Sequence, residues 1–124
     1  MKTATLESLF HDGLRDILYA ERKILKALAR MMRAARSTEL KAAFDQHKAQ
    51  TETQIDRLNQ VFDMLGKRAQ GKTCPAIDGI LEEGEEVIES LGDSPALDAG
   101  LVAAAQAVEH YEMARYGTLK SWAE

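Results

Sequence analysis

The sequence predicts an all-α protein, an antiparallel bundle of three long helices and one short helix. Three observations carry that prediction. The 124 residues include two prolines and few aromatics, with much Ala, Leu, Glu, Lys and Arg, residues that suit a helix interior. Apolar residues recur at three- and four-residue spacing over stretches much longer than a strand. Capping and stopping residues bracket these stretches. A chain of this length supports one domain, spanning 1–124, with a single sizeable core.

Thr5 is placed to cap the first helix, with Glu7 and Asp12 near its positive end. Leu6, Leu9, Phe10, Leu14, Ile17, Leu18, Ile24, Leu25, Leu28, Met31 and Met32 keep helical spacing, which carries the helix to about Ala35. Ser37 caps the second helix after a very short turn, and Gly66 ends it. Its stripe is Leu40, Phe44, Ile55, Leu58, Phe62 and Leu65. So short a connection between long helices implies an antiparallel hairpin. A basic, small-residue loop from Lys67 to Thr73 follows. Pro75 opens the third, shorter helix, whose apolar side is Ile77, Ile80, Leu81, Val87, Ile88 and Leu91. Glu82, Glu83, Glu85, Glu86 and Glu89 lie opposite, as a solvated face. Gly92 stops this helix, and Ser94 and Pro95 start the last, which runs to about Trp122.

Each long helix carries polar residues where its inward stripe should be apolar. Glu21 falls between Ile17, Ile24 and Leu28. In the second helix His47, Thr51 and Gln54 occupy the stripe, with Gln50 at its edge. In the last, residues turning by roughly 100° each align Leu97, Leu101, Ala105, Val108, Glu112 and Leu119, with Glu109 and Tyr116 on the flank. A buried carboxylate is costly unless it is paired, protonated or bound to a metal. All three intrusions lie near mid-helix, so they can share one layer of the bundle.

Composition excludes several classes. A net charge of −4 argues against a nucleic-acid partner, which needs a basic face. Arg30, Arg33 and Arg36 read as a solvated helix end. No segment approaches a membrane span, and Glu7, His11 and Asp12 break any leader-like run in the first fourteen residues. Cys74 is the only cysteine, so an internal disulfide and a thiolate cluster are both impossible. That fits a reducing cytosol. Cys74 has no evident activating partner, His11 reads as surface, and no phosphate-binding glycine loop is present.

Carboxylates with a histidine inside a helix bundle suit iron, manganese or zinc. The two-metal version takes a carboxylate from each of two helices and a Glu-x-x-His pair from each of two others. Here the match is partial. Glu109 and Glu112 have the spacing without a histidine, and His47 with Gln50 has it with a neutral amide. The other reading is a hydrogen-bonded polar layer that sets helix register.

The segments LYAERKILKAL from Leu18, AFDQHKAQTETQIDRL from Ala43, Cys74 to Glu89 and AAQAVEHYEMARYGTL from Ala104 resemble the YciE/YciF stress-protein family of the ferritin-like superfamily. The resemblance covers nearly the whole chain. It implies a ferritin-like antiparallel bundle with a short crossover helix, usually dimeric, in the bacterial cytosol. It also implies a di-metal site of iron or manganese without an assigned reaction. By it, Glu21 is the first-helix carboxylate, His47, Gln50, Thr51 and Gln54 the second-helix set, and Glu109 and Glu112 the last. Two departures stand out. The family commonly has a carboxylate at the position of Gln50, and it continues into a further long, acidic helix beyond the point where this chain stops. The missing helix would leave apolar faces exposed and favours a homodimer or higher oligomer. The leading expectation is a ferritin-like stress protein with a carboxylate/His metal site, an oxidase or peroxide scavenger. The alternative is a non-enzymatic helical interaction protein.

Overall fold

The computed structural model describes residues 5–124, so the first four of the fourteen residues read for a leader lie outside the described part. Four helices are present: α1 (Leu6–Ala34), α2 (Thr38–Met64), α3 (Pro75–Leu91) and α4 (Leu97–Ala123). Their ends follow local chemistry. Thr5 Oγ1 accepts from the Ser8 amide and Ser8 Oγ accepts from the Thr5 amide, both at 3.0 Å, a reciprocal capping box. Ser37 Oγ accepts from the Leu40 amide at 3.2 Å. Gly66 closes α2 with φ of 64°, the left-handed conformation that glycine adopts without strain. Pro75 sits in the first turn of α3, where its missing N–H is harmless. α4 begins later than expected. Ser94 and Pro95 form a turn in which Ser94 Oγ accepts from the Ala96 amide at 3.0 Å, and the helix starts at Leu97.

The long-range contacts fix the directions. His11 stacks edge-on against Phe62 with ring centroids 6.1 Å apart, so α2 runs antiparallel to α1. Tyr19 donates to Asp78 and Arg30 to Glu85, so α3 runs parallel to α1. Asp98 accepts from the Arg36 and Ser37 amides at 2.9 and 2.8 Å, and Tyr116 meets Glu21, so α4 is antiparallel to α1. The short α3 is therefore a crossover that returns the chain to the α1–α2 turn. α2 and α4 end up parallel to each other on either side of α1. Leu14, Ile17, Leu18, Ile24 and Leu28 of α1 form the centre of the core, packed with Phe44, Leu58 and Phe62 of α2, Ile77 and Ile88 of α3 and Leu97, Leu101 and Val108 of α4.

Three surface expectations change. His11 is half-buried, because Phe62 lies beneath it. Arg30 and Arg36 are not loose: Arg30 pairs with Glu85 at 3.0 Å, and Arg36 Nη2 donates to the Gly92 carbonyl at 2.8 Å. Leu6, Leu9 and Leu65 extend the apolar stripes but lie exposed at the open end of the α1–α2 hairpin.

Candidate functional site

Periodicity delivers the polar residues to one level of the bundle. Glu21 occupies the α1 stripe beside Ile17 and Ile24 and is 0 % exposed. Glu112 lies one turn beyond Val108 on the α4 stripe and is also buried. α2 contributes His47, Thr51 and Gln54, of which Thr51 is fully buried and the others partly so. Thr51 spends its hydroxyl within its own helix, donating to the His47 carbonyl at 2.8 Å.

The remaining groups interlock. Tyr116 donates to Glu21 Oε2 at 3.0 Å. The Gln54 amide stands against both carboxyls; with its nitrogen turned inward it donates to Glu21 Oε2 and to Glu112 Oε2, the latter at 3.3 Å. His47 Nε2 stands 3.0 Å from Glu112 Oε1. The Glu21 and Glu112 carboxyls are neighbours in this layer, so two negative charges there would oppose each other.

Electrostatics decide which of them carries the charge. Burial pushes the Glu21 carboxyl up to about 9, and the neighbouring Glu112 adds to the rise. Burial also acts on Glu112, but the hydrogen bonds from His47 and Glu21 outweigh it and hold that carboxyl below the usual range. The Glu112 bond raises His47 against the opposing effect of burial. At neutral pH Glu21 therefore holds the proton and Glu112 the charge. Glu21 Oε1 is the one buried side-chain oxygen without a hydrogen-bond partner among the described residues. Burial and Glu21 together also raise the Tyr116 phenol, so it remains a donor.

Not every expected residue joins this layer. Gln50 is exposed. Glu109 is 58 % exposed in its side chain, and its Oε1 lies 3.9 Å from His47 Nδ1. Both line a groove of about 790 Å³ between α2 and α4, whose apolar walls include Phe10, Leu14, Leu58, Val61, Met113 and Leu119. The polar layer opens onto this groove through His47, Gln54, Glu112 and Tyr116.

As a two-metal centre, the donors of one chain fall short. Two cations need several bridging carboxylates, whereas the layer buries two and one of those is neutral. Tyr116 and Gln54 already engage Glu21 Oε2, and His47 and Gln54 engage Glu112. Among the described residues no three His, Cys, Asp or Glu side chains are grouped to hold an ion. The arrangement can hold and share a proton, orient the imidazole and tie three helices together.

Two contacts had no signal in the sequence. Tyr116 reaches Glu21 across 95 positions of chain. Cys74 is buried at the N-terminus of α3, where its Sγ lies 3.1 Å from the Tyr111 hydroxyl. That pair joins α3 to α4 and is the partner that sequence reading did not find for Cys74.

Fold and layer together define an all-α, ferritin-like bundle with an acid–imidazole centre. Comparison with known proteins places it further. The family described as Domain of unknown function (DUF892) matches residues 5–124. Protein YciF of Escherichia coli (strain K12) is 42 % identical over 125 residues, spanning 100 % of this chain and 75 % of that protein. The crystal structure of the E. coli stress protein YciF matches with a TM-score of 0.91 at 41 % identity, covering 98 % of this chain and 77 % of that one. The Rhodopseudomonas palustris protein YcfI, described as a candidate structural protein, matches with a TM-score of 0.93 at 50 % identity, covering 97 % and 76 %. The chain belongs to the DUF892 family, that of the stress protein YciF. Among the described residues no helix is long and apolar enough to cross a membrane.

Proposed function

We propose that the chain is a non-enzymatic helical interaction protein of a bacterial stress response, acting in the cytosol, whose buried acid–imidazole layer fixes helix register. One observation carries this reading. The layer is cross-linked by its own hydrogen bonds, from Tyr116 and, with its amide nitrogen inward, Gln54 to Glu21, and from Gln54 and His47 to Glu112. A buried polar network that links three helices favours the one packing in which its bonds are made. The description of the R. palustris relative as a candidate structural protein accords with it. This reverses the order in which the sequence ranks the two readings, because Gln50 and Glu109 stand outside the layer and Glu21 is neutral.

The metal-dependent reading retains one supporting observation, the unengaged Glu21 Oε1. If iron or manganese binds, Glu21, His47 and Glu112 are the residues to hold it, and the metal would supply redox chemistry toward oxygen or peroxide. Elemental analysis of protein produced with iron and manganese, followed by peroxide-dependent absorbance, separates the two. The proposal expects substoichiometric metal that is unchanged by Glu21→Ala and Glu109→Ala. Stoichiometric metal, lost in those variants and responsive to peroxide, overturns it.

A further inference from the structure

On the crossover side, away from the polar layer, the bundle holds a second pocket. It measures about 250 Å³ and is walled by α1, α3 and α4. None of its residues lines the groove between α2 and α4. Its walls are aliphatic, with Met31, Ile88 and Val108 buried and Ile80 and Leu81 half-buried.

The pocket is a product of side-chain size. Each of the three helices places a small residue at this level: Ala27 on α1, Gly84 on α3 and Ala104 on α4. Gly84 lies inside its helix, where glycine is the poorest helix former after proline. Packing does not demand it. A Cβ there would meet the Ala104 Cβ at 3.6 Å, an ordinary van der Waals contact. Gly100 differs, since a Cβ there would meet Val87 Cγ1 at 2.7 Å. What Gly84 leaves is therefore space, and protein interiors leave little space unfilled. By proportion with a cavity of about 150 Å³ that takes benzene, this one has room for roughly ten carbon atoms.

The rim is charged, and unevenly so. Lys26 and Arg30 stand one turn apart on α1, and Glu85 reaches the rim from α3. Glu85 is engaged by Arg30, whose Nη2 and Nε donate to Glu85 Oε1 at 3.0 and 3.3 Å. Lys26 is exposed and forms no ion pair among the described residues. The rim thus presents one uncompensated positive charge above an apolar cavity. Pockets of this kind bind by apolar enclosure and orient the ligand through a few polar groups.

We infer that this pocket binds a medium-chain carboxylate, an aliphatic chain of about eight carbons with a single anionic head. The chain fills the space left by Ala27, Gly84 and Ala104, and the carboxylate meets the Lys26 ammonium at the rim. The site stands apart from the interaction reading above and from the question of metal.

Octanoate titrated into the full chain at neutral pH, followed by proton–nitrogen NMR correlation spectra, tests the assignment. Saturable shifts are expected around Ala27, Gly84 and Ala104, with a dissociation constant on the order of 1 mM. Octylammonium, with the same chain and the opposite charge, binds about tenfold more weakly. Lys26→Glu, an exposed change that leaves the core untouched, weakens octanoate by about tenfold, since it exchanges an attraction for a repulsion. Ala104→Leu fills the pocket and abolishes the shifts, with circular dichroism reporting its helix content. Gly84→Ala, whose methyl has room beside Ala104, keeps the fold and weakens octanoate by narrowing the cavity. Absence of saturable shifts overturns the inference. So do shifts centred on the α2–α4 groove, equal binding of octanoate and octylammonium, or an octanoate affinity that Lys26→Glu leaves unchanged.

Discussion

His47 Nε2 lies 3.0 Å from Glu112 Oε1, and this contact ties α2 to α4 at one wall of the groove that both helices line. The tie is partly buried and charge-assisted, the kind of hydrogen bond whose loss is felt. His47→Ala leaves the buried Glu112 carboxylate with Gln54 as its remaining partner on α2. It is expected to cost about 2–3 kcal/mol in urea denaturation. Glu109→Ala, at a 58 % exposed side chain 3.9 Å from the same imidazole, is expected to stay within about 0.5 kcal/mol. Equal effects would mean that the contact does not join α2 to α4 as described.

Glu21 behaves differently from Glu112, because it is neutral before any mutation. Glu21→Gln removes an ionisable group while preserving shape and hydrogen-bonding capacity. Its expected effect at pH 7 is between neutral and about 1 kcal/mol of stabilisation. Glu21→Ala opens a cavity and leaves Tyr116 without its acceptor, at an expected cost of about 3 kcal/mol. Thermal or chemical denaturation of the two variants side by side reads the difference.

Stability against pH follows from the same three groups. Glu21 is raised from 4.5 to about 9, so the folded state keeps a proton that the unfolded chain has released. Its contribution therefore declines as pH rises between those values. His47 is raised above 6.5, so its stabilisation is present below that pH and lost as pH climbs through its folded value. Glu112 is lowered below 4.5, so its stabilisation is present above 4.5 and lost as pH falls through its folded value. Stability should peak near pH 4.5 and decline toward alkaline pH, first through Glu21 and above pH 6.5 through His47 as well, at a limiting slope of about 1.4 kcal/mol per pH unit for each titrating group. Glu21→Gln should flatten that decline. Unfolding curves collected from pH 4 to 10 test both statements.

Glycines on the crossover side offer a packing test. A Cβ at Gly100 would meet Val87 Cγ1 at 2.7 Å, and a β-branched side chain has little room to rotate away. Gly100→Ala is expected to destabilise by about 1–2 kcal/mol, the overpacking exceeding the gain in helix propensity. A Cβ at Gly79 would meet nothing within 4 Å. Gly79→Ala should therefore stabilise by up to about 1 kcal/mol. Melting temperatures moving in opposite directions would bear out the α3–α4 approach.

The helices were legible because capping and periodicity are local. Thr5, Ser37, Gly66 and Pro75 mark their ends within a residue or two of where they fall, whereas Ser94 and Pro95 made a turn rather than a first helical turn. Glu21 and Glu112 could be placed inside because each continues a run of buried apolar positions. Gln50 and Glu109 sit at the edge of their stripes, and a 100° step cannot say whether an edge residue faces a neighbouring helix or a groove. The groove decides it, and the groove depends on where α2 and α4 lie in space. The contacts from Tyr116 to Glu21 and from Tyr111 to Cys74 join distant parts of the chain, so no spacing rule encodes them. The proton on Glu21 depends in turn on burial, on Glu112 and on Gln54, which come together only in the fold.

The central claim is that the layer is held by a proton on Glu21 and a charge on Glu112. Carbon-13 NMR titration of the two side-chain carboxyls, assigned with Glu21→Gln and Glu112→Gln, measures it directly. The account predicts that Glu21 stays protonated through neutral pH and titrates near 9, with Glu112 already ionised below the usual carboxylate range. Two carboxyls that both titrate near 4.5, ionised together at pH 7 in the folded protein, would contradict it.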